Sequence, residues 1–254
     1  MKILEDIIQT LERDVSIRHI SRGPLWTAVV SRRCGLASAL HEGSCETAKG
    51  KAMLPPEPYE RMAAHELAAL SLSDEIPEAS LGMAAINSLI NFDESECDDV
   101  NAADVIERAG RGGNVSIIGH FPFVDDLRPA VKNLWVIEKR PRPGDFGEDE
   151  SARYLPASDV IAISSTTLIN HTLESILEQC PAASMKILLG PTTPLSTVLF
   201  EYGIDIISGS LVTDTSLVLE NVRRGVSFAE MKKSGGIRFA SLVRDRQRYR
   251  QLMS

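Results

Sequence analysis

Asn114–Val115–Ser116–Ile117–Ile118–Gly119 is a short apolar run closed by glycine. Runs of the same kind recur at Asn133–Glu138, Asp159–Ser164, Lys186–Gly190 and Asp205–Gly209. Strands this short and this apolar are buried on both faces, as in a parallel sheet. Helical patterns flank and separate them: at 104–109, over 168–179, from Leu195 and from about Thr215. Strands alternating with helices predict a parallel sheet in a doubly wound α/β domain. The last segment, 228–252, reads as helical with a break at Gly235–Gly236.

Upstream the rhythm differs. Ile3, Ile7, Ile8 and Leu11 recur at helical spacing over residues 2–13. Strand patterns follow at Ser16–Ile20, Trp26–Val30 and Gly35–Leu40, separated by breaks such as Gly23–Pro24. Pro55, Pro56 and Pro58 mark a rigid connection to two expected helices, 59–72 and 78–91. Strands followed by helices make an α+β unit. The acidic, aperiodic stretch Phe92–Asp99 is the natural boundary, giving expected domains 1–97 and 98–254.

The chain has 254 residues, 43% hydrophobic and 24% charged, which is ordinary for a globular protein. It contains no apolar run long enough to cross a membrane, and acids sit in its first turn where a signal peptide would be apolar. The expected location is therefore the cytoplasm, with no membrane partner. The net charge of −8 argues against general nucleic-acid binding. Residues 231–254 nevertheless carry +6 and residues 1–97 carry −6. The basic tail is expected to be a solvated helix face or a contact with the protein's own acidic surface, ahead of an RNA-binding tail. Complementary surfaces of this kind favour a homo-oligomer, by default a dimer.

In an open parallel sheet, ligands bind beyond the carboxyl ends of the strands. That rule selects Gly119–His120–Phe121–Pro122, then Glu138 with Pro143–Gly144–Asp145. It also selects Ser165–Thr166–Thr167 with Asn170, Gly190–Pro191–Thr192–Thr193, and Gly209–Ser210. Hydroxyls before a helix either cradle an anion or simply cap the helix. Both alternatives stay open for Thr166, Thr167, Thr192 and Thr193. Glu138 lies 19 residues after Gly119, where dinucleotide folds place a ribose-binding acid, but G-x-G-x-x-G is absent. His120 is a candidate general acid, base or metal ligand. With Glu138 and Asp145 it would suit a first-row divalent metal. Asn87, a poor residue for a helix interior, either bonds a neighbouring element or points into a cleft.

The cysteines Cys34, Cys45, Cys97 and Cys180 form no C-x-x-C pair and read as free thiols. Cys34, His41 and Cys45 offer a separate soft-metal set whose spacing matches no standard zinc pattern. No P-loop, nucleophile elbow or H-E-x-x-H is present.

Five segments together resemble the putative heavy-metal chelation family, long filed as a domain of unknown function. They are Glu78–Asn87, Gly119–Pro122, Glu138 with Pro143–Asp145, Ser165–Asn170 and Gly190–Leu195, and the likeness spans about residues 5–230. The resemblance implies an N-terminal domain similar to that of enolase, then a Rossmann-like domain, with the active site in the cleft between them. One departure is His171, where the pattern implies a basic residue after Asn170. Three functions follow. One is a protein that binds a metal or metal chelate through Glu138, Asp145 and the threonine loops, with Asn87 across the cleft. Another is an enzyme on a small phosphorylated or nucleotide-like substrate, with His120 as acid or base and NAD or S-adenosylmethionine open as cofactors. The third is a non-catalytic partner in metal handling.

Overall fold

The computed structural model describes residues 1–40, 59–98 and 100–254. The expected proline-rich connection, His41 and Cys45 lie outside them. The described strands form two sheets. The small one is antiparallel, in the order β1 (His19–Arg22), β2 (Trp26–Val30), β3 (Cys34–Ser38). The large one contains β4 (Asn114–Ile118), β5 (Asn133–Glu138), β6 (Phe146–Gly147) and β7 (Val160–Ser164). It is completed by β8 (Met185–Leu189), β9 (Ile206–Val212) and β10 (Ile237–Val243). Its order is β10-β9-β8-β7-β4-β5-β6, parallel throughout except for β10 against β9. This is a mixed α/β fold.

Five of the six parallel strands lie where the sequence pattern puts them, and only the two-residue β6 at the edge was not expected. All five residues of β8 are buried, as are the first four of β7. One cluster unites Ile3, Ile7, Leu67 and Ile86 with Ile163, Leu168, Leu188 and Ile207. Val105, Ile106, Val115, Ile117 and Ile187 fill a second. A third joins Trp26, Ala28, Val30 and Leu36 of the small sheet to Val218, Val222 and Met231 from far down the chain.

The helix Ile76–Leu89 lies between the sheets, with ten of its residues buried. It approaches its neighbour closely at Gly82. A methyl group there would sit 2.0 Å from the backbone nitrogen of Ser71. Glycine is the residue that permits such contact between backbones.

Several expectations need correction. Segment 228–252 is not continuous helix. It is the helix Phe228–Lys233, the edge strand β10 and the helix Arg246–Met253. In β10 Arg238 is exposed between buried Ile237 and partly buried Phe239, and basic residues flank the strand. That charge hid a strand whose pairing with β9 is entirely tertiary. The expected helix 168–179 breaks into Thr166–Ile169 and Leu173–Gln179. Asn170 Oδ1 accepts bonds from the Thr172 N–H and hydroxyl, and His171 turns left-handed at φ 58°. The helix expected from Leu195 starts at Val198, and 59–72 holds a 3₁₀ turn, a short helix Ala64–Ala69 and another 3₁₀ turn. The first strand lies at 19–22 rather than 16–20.

The basic tail meets the protein's own acids. Arg238 pairs with Glu94 at 2.6 Å and Arg246 with Asp98 at 3.3 Å. Among the described residues, no helix is long and apolar enough to cross a membrane.

Candidate functional site

Counted from β4, the parallel strands stand in the order 3-2-1-4-5-6. The order reverses between β4 and β7, and open α/β sheets bind ligands beyond the carboxyl ends of the strands at such a point. Gly119 follows β4 at φ +100° and Gly190 follows β8 at φ +128°, backbone conformations that favour glycine. A methyl group on Gly119 would meet Ser164 Cβ at 2.9 Å, and one on Gly190 would meet Ser165 Oγ at 2.8 Å. The ends of β4, β7 and β8 are thus drawn together around the Ser164–Ser165 turn.

That turn satisfies most of its own polar groups. Ser164 Oγ and Thr166 Oγ1 are 2.8 Å apart, and the Thr167 hydroxyl donates to Ser164 O at 2.6 Å. Thr167 and Asn170 therefore bond their local backbone, and Thr166 pairs with the Ser164 side chain. Two hydroxyls are different. Ser165 is 1% exposed and Thr193 3%, and neither hydroxyl has a partner among the described residues. A buried polar group without a partner costs about 1–3 kcal/mol and so calls for an explanation.

Thr192 has another task. It is fully buried, and its hydroxyl accepts from Ser38 N at 2.9 Å and donates to Ser38 Oγ at 3.1 Å. Asn87 Nδ2 donates to Leu36 O at 2.9 Å and to Thr192 O at 3.0 Å. Asn87 and Thr192 therefore tie the end of β3 to the loop after β8. Pro191 O, in the same loop, receives the Ser210 hydroxyl at 3.4 Å.

Beyond β4 and β5, His120 and Asp145 meet. Asp145 Oδ2 lies 3.1 Å from His120 Nδ1 and accepts Arg142 N–H at 3.1 Å. The turn that brings Asp145 back is closed by Asp145 N–H to Arg142 O, with Gly144 at φ +96°. Phe121 stacks on Phe123 beside His120, centroids 5.2 Å apart. Glu138 ends β5 half-buried, with Oε2 accepting its neighbour's Lys139 N–H. Among the described residues no three His, Cys, Asp or Glu side chains are grouped to hold a metal ion. The expected His120, Glu138 and Asp145 set is therefore a pair plus a separate acid.

The described thiols are held protonated by their surroundings. Burial pushes Cys34 up to about 12 and Cys180 up to about 11, and Cys97 is also raised by burial. His171, the departure from the family pattern, donates from Nε2 to Ser71 O at 2.8 Å. A cavity of about 480 Å³ is lined from both parts of the chain, by Leu11, Arg32, Phe92, Thr197 and Leu242 among others. None of the strand-end residues His120, Glu138 or Asp145 lines it.

Ser38, Leu36 and Arg142 carry no sequence signal for their roles, since each acts through a partner set by the fold. Ser165 stands out in the sequence only as one of a run of hydroxyls.

Two family models match this chain, over residues 4–90 and 101–241, and both are described as "Putative heavy-metal chelation". The chain belongs to this family. A relative from Methanocaldococcus jannaschii, named as an uncharacterized protein, is 32% identical over 157 residues. That match covers 58% of this chain and 60% of the relative's length. Two solved structures share the fold. A protein of unknown function from Desulfitobacterium hafniense is 23% identical with TM-score 0.81, over 96% of this chain and 98% of its own. Another from Pyrococcus horikoshii is 21% identical with TM-score 0.79, over 95% and 98%.

Proposed function

We propose that the protein binds a small anionic organic ligand, a metal chelate above all, in the crevice beyond β4, β5, β7 and β8. The observation that carries this is the pair of buried, unpartnered hydroxyls, Ser165 and Thr193, beside the glycine turns at the strand ends. Ser71 and Ser80 are buried without hydroxyl partners as well, so it is the place of Ser165 and Thr193 beside the switch in strand order that supports a ligand there. The family description supplies the metal. The donor set supports a metal that arrives with its own organic ligands rather than one caged by protein side chains. In this proposal residues 1–97 form an enolase-N-terminal-like domain and 98–254 a Rossmann-like one, with the ligand at their junction. The protein acts as a homodimer.

A second function is favoured by Glu138 and the strand order. An acid ending the strand next to β4 is placed to hold a sugar hydroxyl, which suits a nucleotide-like or phosphorylated substrate. The two are separated by thermal unfolding with nickel and copper chelates, nucleotides, S-adenosylmethionine and NAD. A ligand at about 100 times its Kd adds roughly 2.7 kcal/mol. Ser165→Ala is expected to raise the stability of the free protein by about 1 kcal/mol, by removing an unsatisfied hydroxyl. The same change should weaken ligand binding. If Ser165→Ala destabilises the free protein and leaves every ligand shift unchanged, the crevice is not the site.

A further inference from the structure

We propose that His120 supplies the single protein donor atom to the metal of such a chelate, through Nε2, and that Asp145 positions its ring. The inference rests on the chelate-binding function above and goes on to assign the contact.

The argument begins at Asp145. Its side chain is 1% exposed, although it is carried on a loop. Its Oδ2 already accepts the Arg142 N–H at 3.1 Å, and an ionised carboxylate only accepts. The His120 nitrogen 3.1 Å from the same oxygen must then be the donor. A neutral imidazole with hydrogen on Nδ1 has its lone pair on Nε2. The backbone turn from Arg142 to Asp145 holds the carboxylate in place, so the ring is held as well.

Histidines that bind metals are oriented in this way, with the other ring nitrogen given to a carboxylate or carbonyl. His120 follows Gly119 at the end of β4, beside the reversal in strand order, and its side chain stays 20% exposed. An imidazole fixed in this way fits one coordination position. The remaining positions go to oxygen and nitrogen donors of the organic ligand, whose anionic groups face the hydroxyls around Ser165. Asp145 does not touch the metal, because its side chain is 1% exposed against 20% for His120.

The probe is Cu(II)–iminodiacetate, which leaves coordination positions open. Spin-echo EPR of the copper reports how many imidazoles bind it, and titration gives the Kd. We expect one copper per chain with one imidazole, lost in His120→Ala and retained in His19→Ala, which removes an exposed histidine. Asp145→Asn, which can present an amide hydrogen to Nδ1 and so impose the other tautomer, should raise the Kd about 10–100-fold. His120→Ala carries the test if Asp145→Asn fails to melt like the wild type. A one-imidazole signal that survives His120→Ala, or a signal from two or more imidazoles, overturns the proposal. If the chelate raises the melting temperature of wild type and His120→Ala equally, this inference falls and chelate binding stands. If no chelate shifts the wild type, both fall.

Discussion

Thr192→Val changes one oxygen for a methyl group and leaves the side-chain volume nearly as it was. In the native fold that hydroxyl is fully buried, accepting the Ser38 N–H at 2.9 Å and donating to Ser38 Oγ at 3.1 Å. Valine leaves the Ser38 N–H without an acceptor, at a cost of about 1–3 kcal/mol. The Ser38 hydroxyl can rotate, so its loss adds little. We expect a destabilisation of about 2 kcal/mol, seen as a fall of roughly 4–8 °C in Tm. Asn87→Ala removes two donors, to Leu36 O and Thr192 O, and should cost about 2 kcal/mol as well. The two residues hold the same loop against β3. Once the loop has moved away for one variant, less is left for the other to lose. The double variant should therefore cost less than the sum, with a coupling of about 0.5–3 kcal/mol. Urea unfolding followed by fluorescence and circular dichroism measures all three variants, and coincident transitions validate the comparison. If Thr192→Val stays within about 0.5 kcal/mol of wild type, as surface changes do, Thr192 is not a structural tie. It would then be free to meet a ligand.

Two further outcomes follow from the structure. Burial raises the Cys34 thiol from its ordinary 9.0 to about 12, so between those values the native state keeps a proton that the unfolded chain has released. Stability should thus be independent of this group below pH 9 and fall above it, by up to about 1.4 kcal/mol per pH unit. Urea midpoints between pH 8 and 10.5 should slope less in Cys34→Ala than in wild type; equal slopes would refute the assignment. His171 adopts φ 58° while its ring holds Ser71 O. His171→Gly and His171→Ala both lose that bond, but only alanine keeps the strained backbone, so the glycine variant should be more stable by about 1 kcal/mol. Urea denaturation of the pair decides it, and an alanine variant at least as stable as the glycine one would contradict the argument.

The parallel strands were legible because burial on both faces leaves a local mark. Val160–Ser164 shows this, since four of its five residues are buried and the apolar run Asp159–Ser164 marks it to within one residue. The edge strand β10 was not, because its exposed Arg238 and basic flanks imitate a polar helix and only β9 identifies it as a strand. The break at Asn170–His171 was likewise hidden, since a side-chain bond over two residues and one left-handed turn interrupt an otherwise helical pattern.

At the candidate site the same division holds. The sequence alone determined which loops end the strands, and hence that Gly119, His120, Glu138, Ser165 and Gly190 gather at one end of the sheet. Strand direction and connection length are enough for that. What each side chain does there was decided only by tertiary structure. Thr192 was read as capping its helix or cradling an anion, and its partner is Ser38, 154 residues away. Asp145 was read as a metal ligand, and it stands behind His120 because a turn with Gly144 brings it there. Side-chain type records which bonds a residue can make. Which of those bonds are made depends on the groups folding brings within about 3 Å, and no local pattern carries that distance.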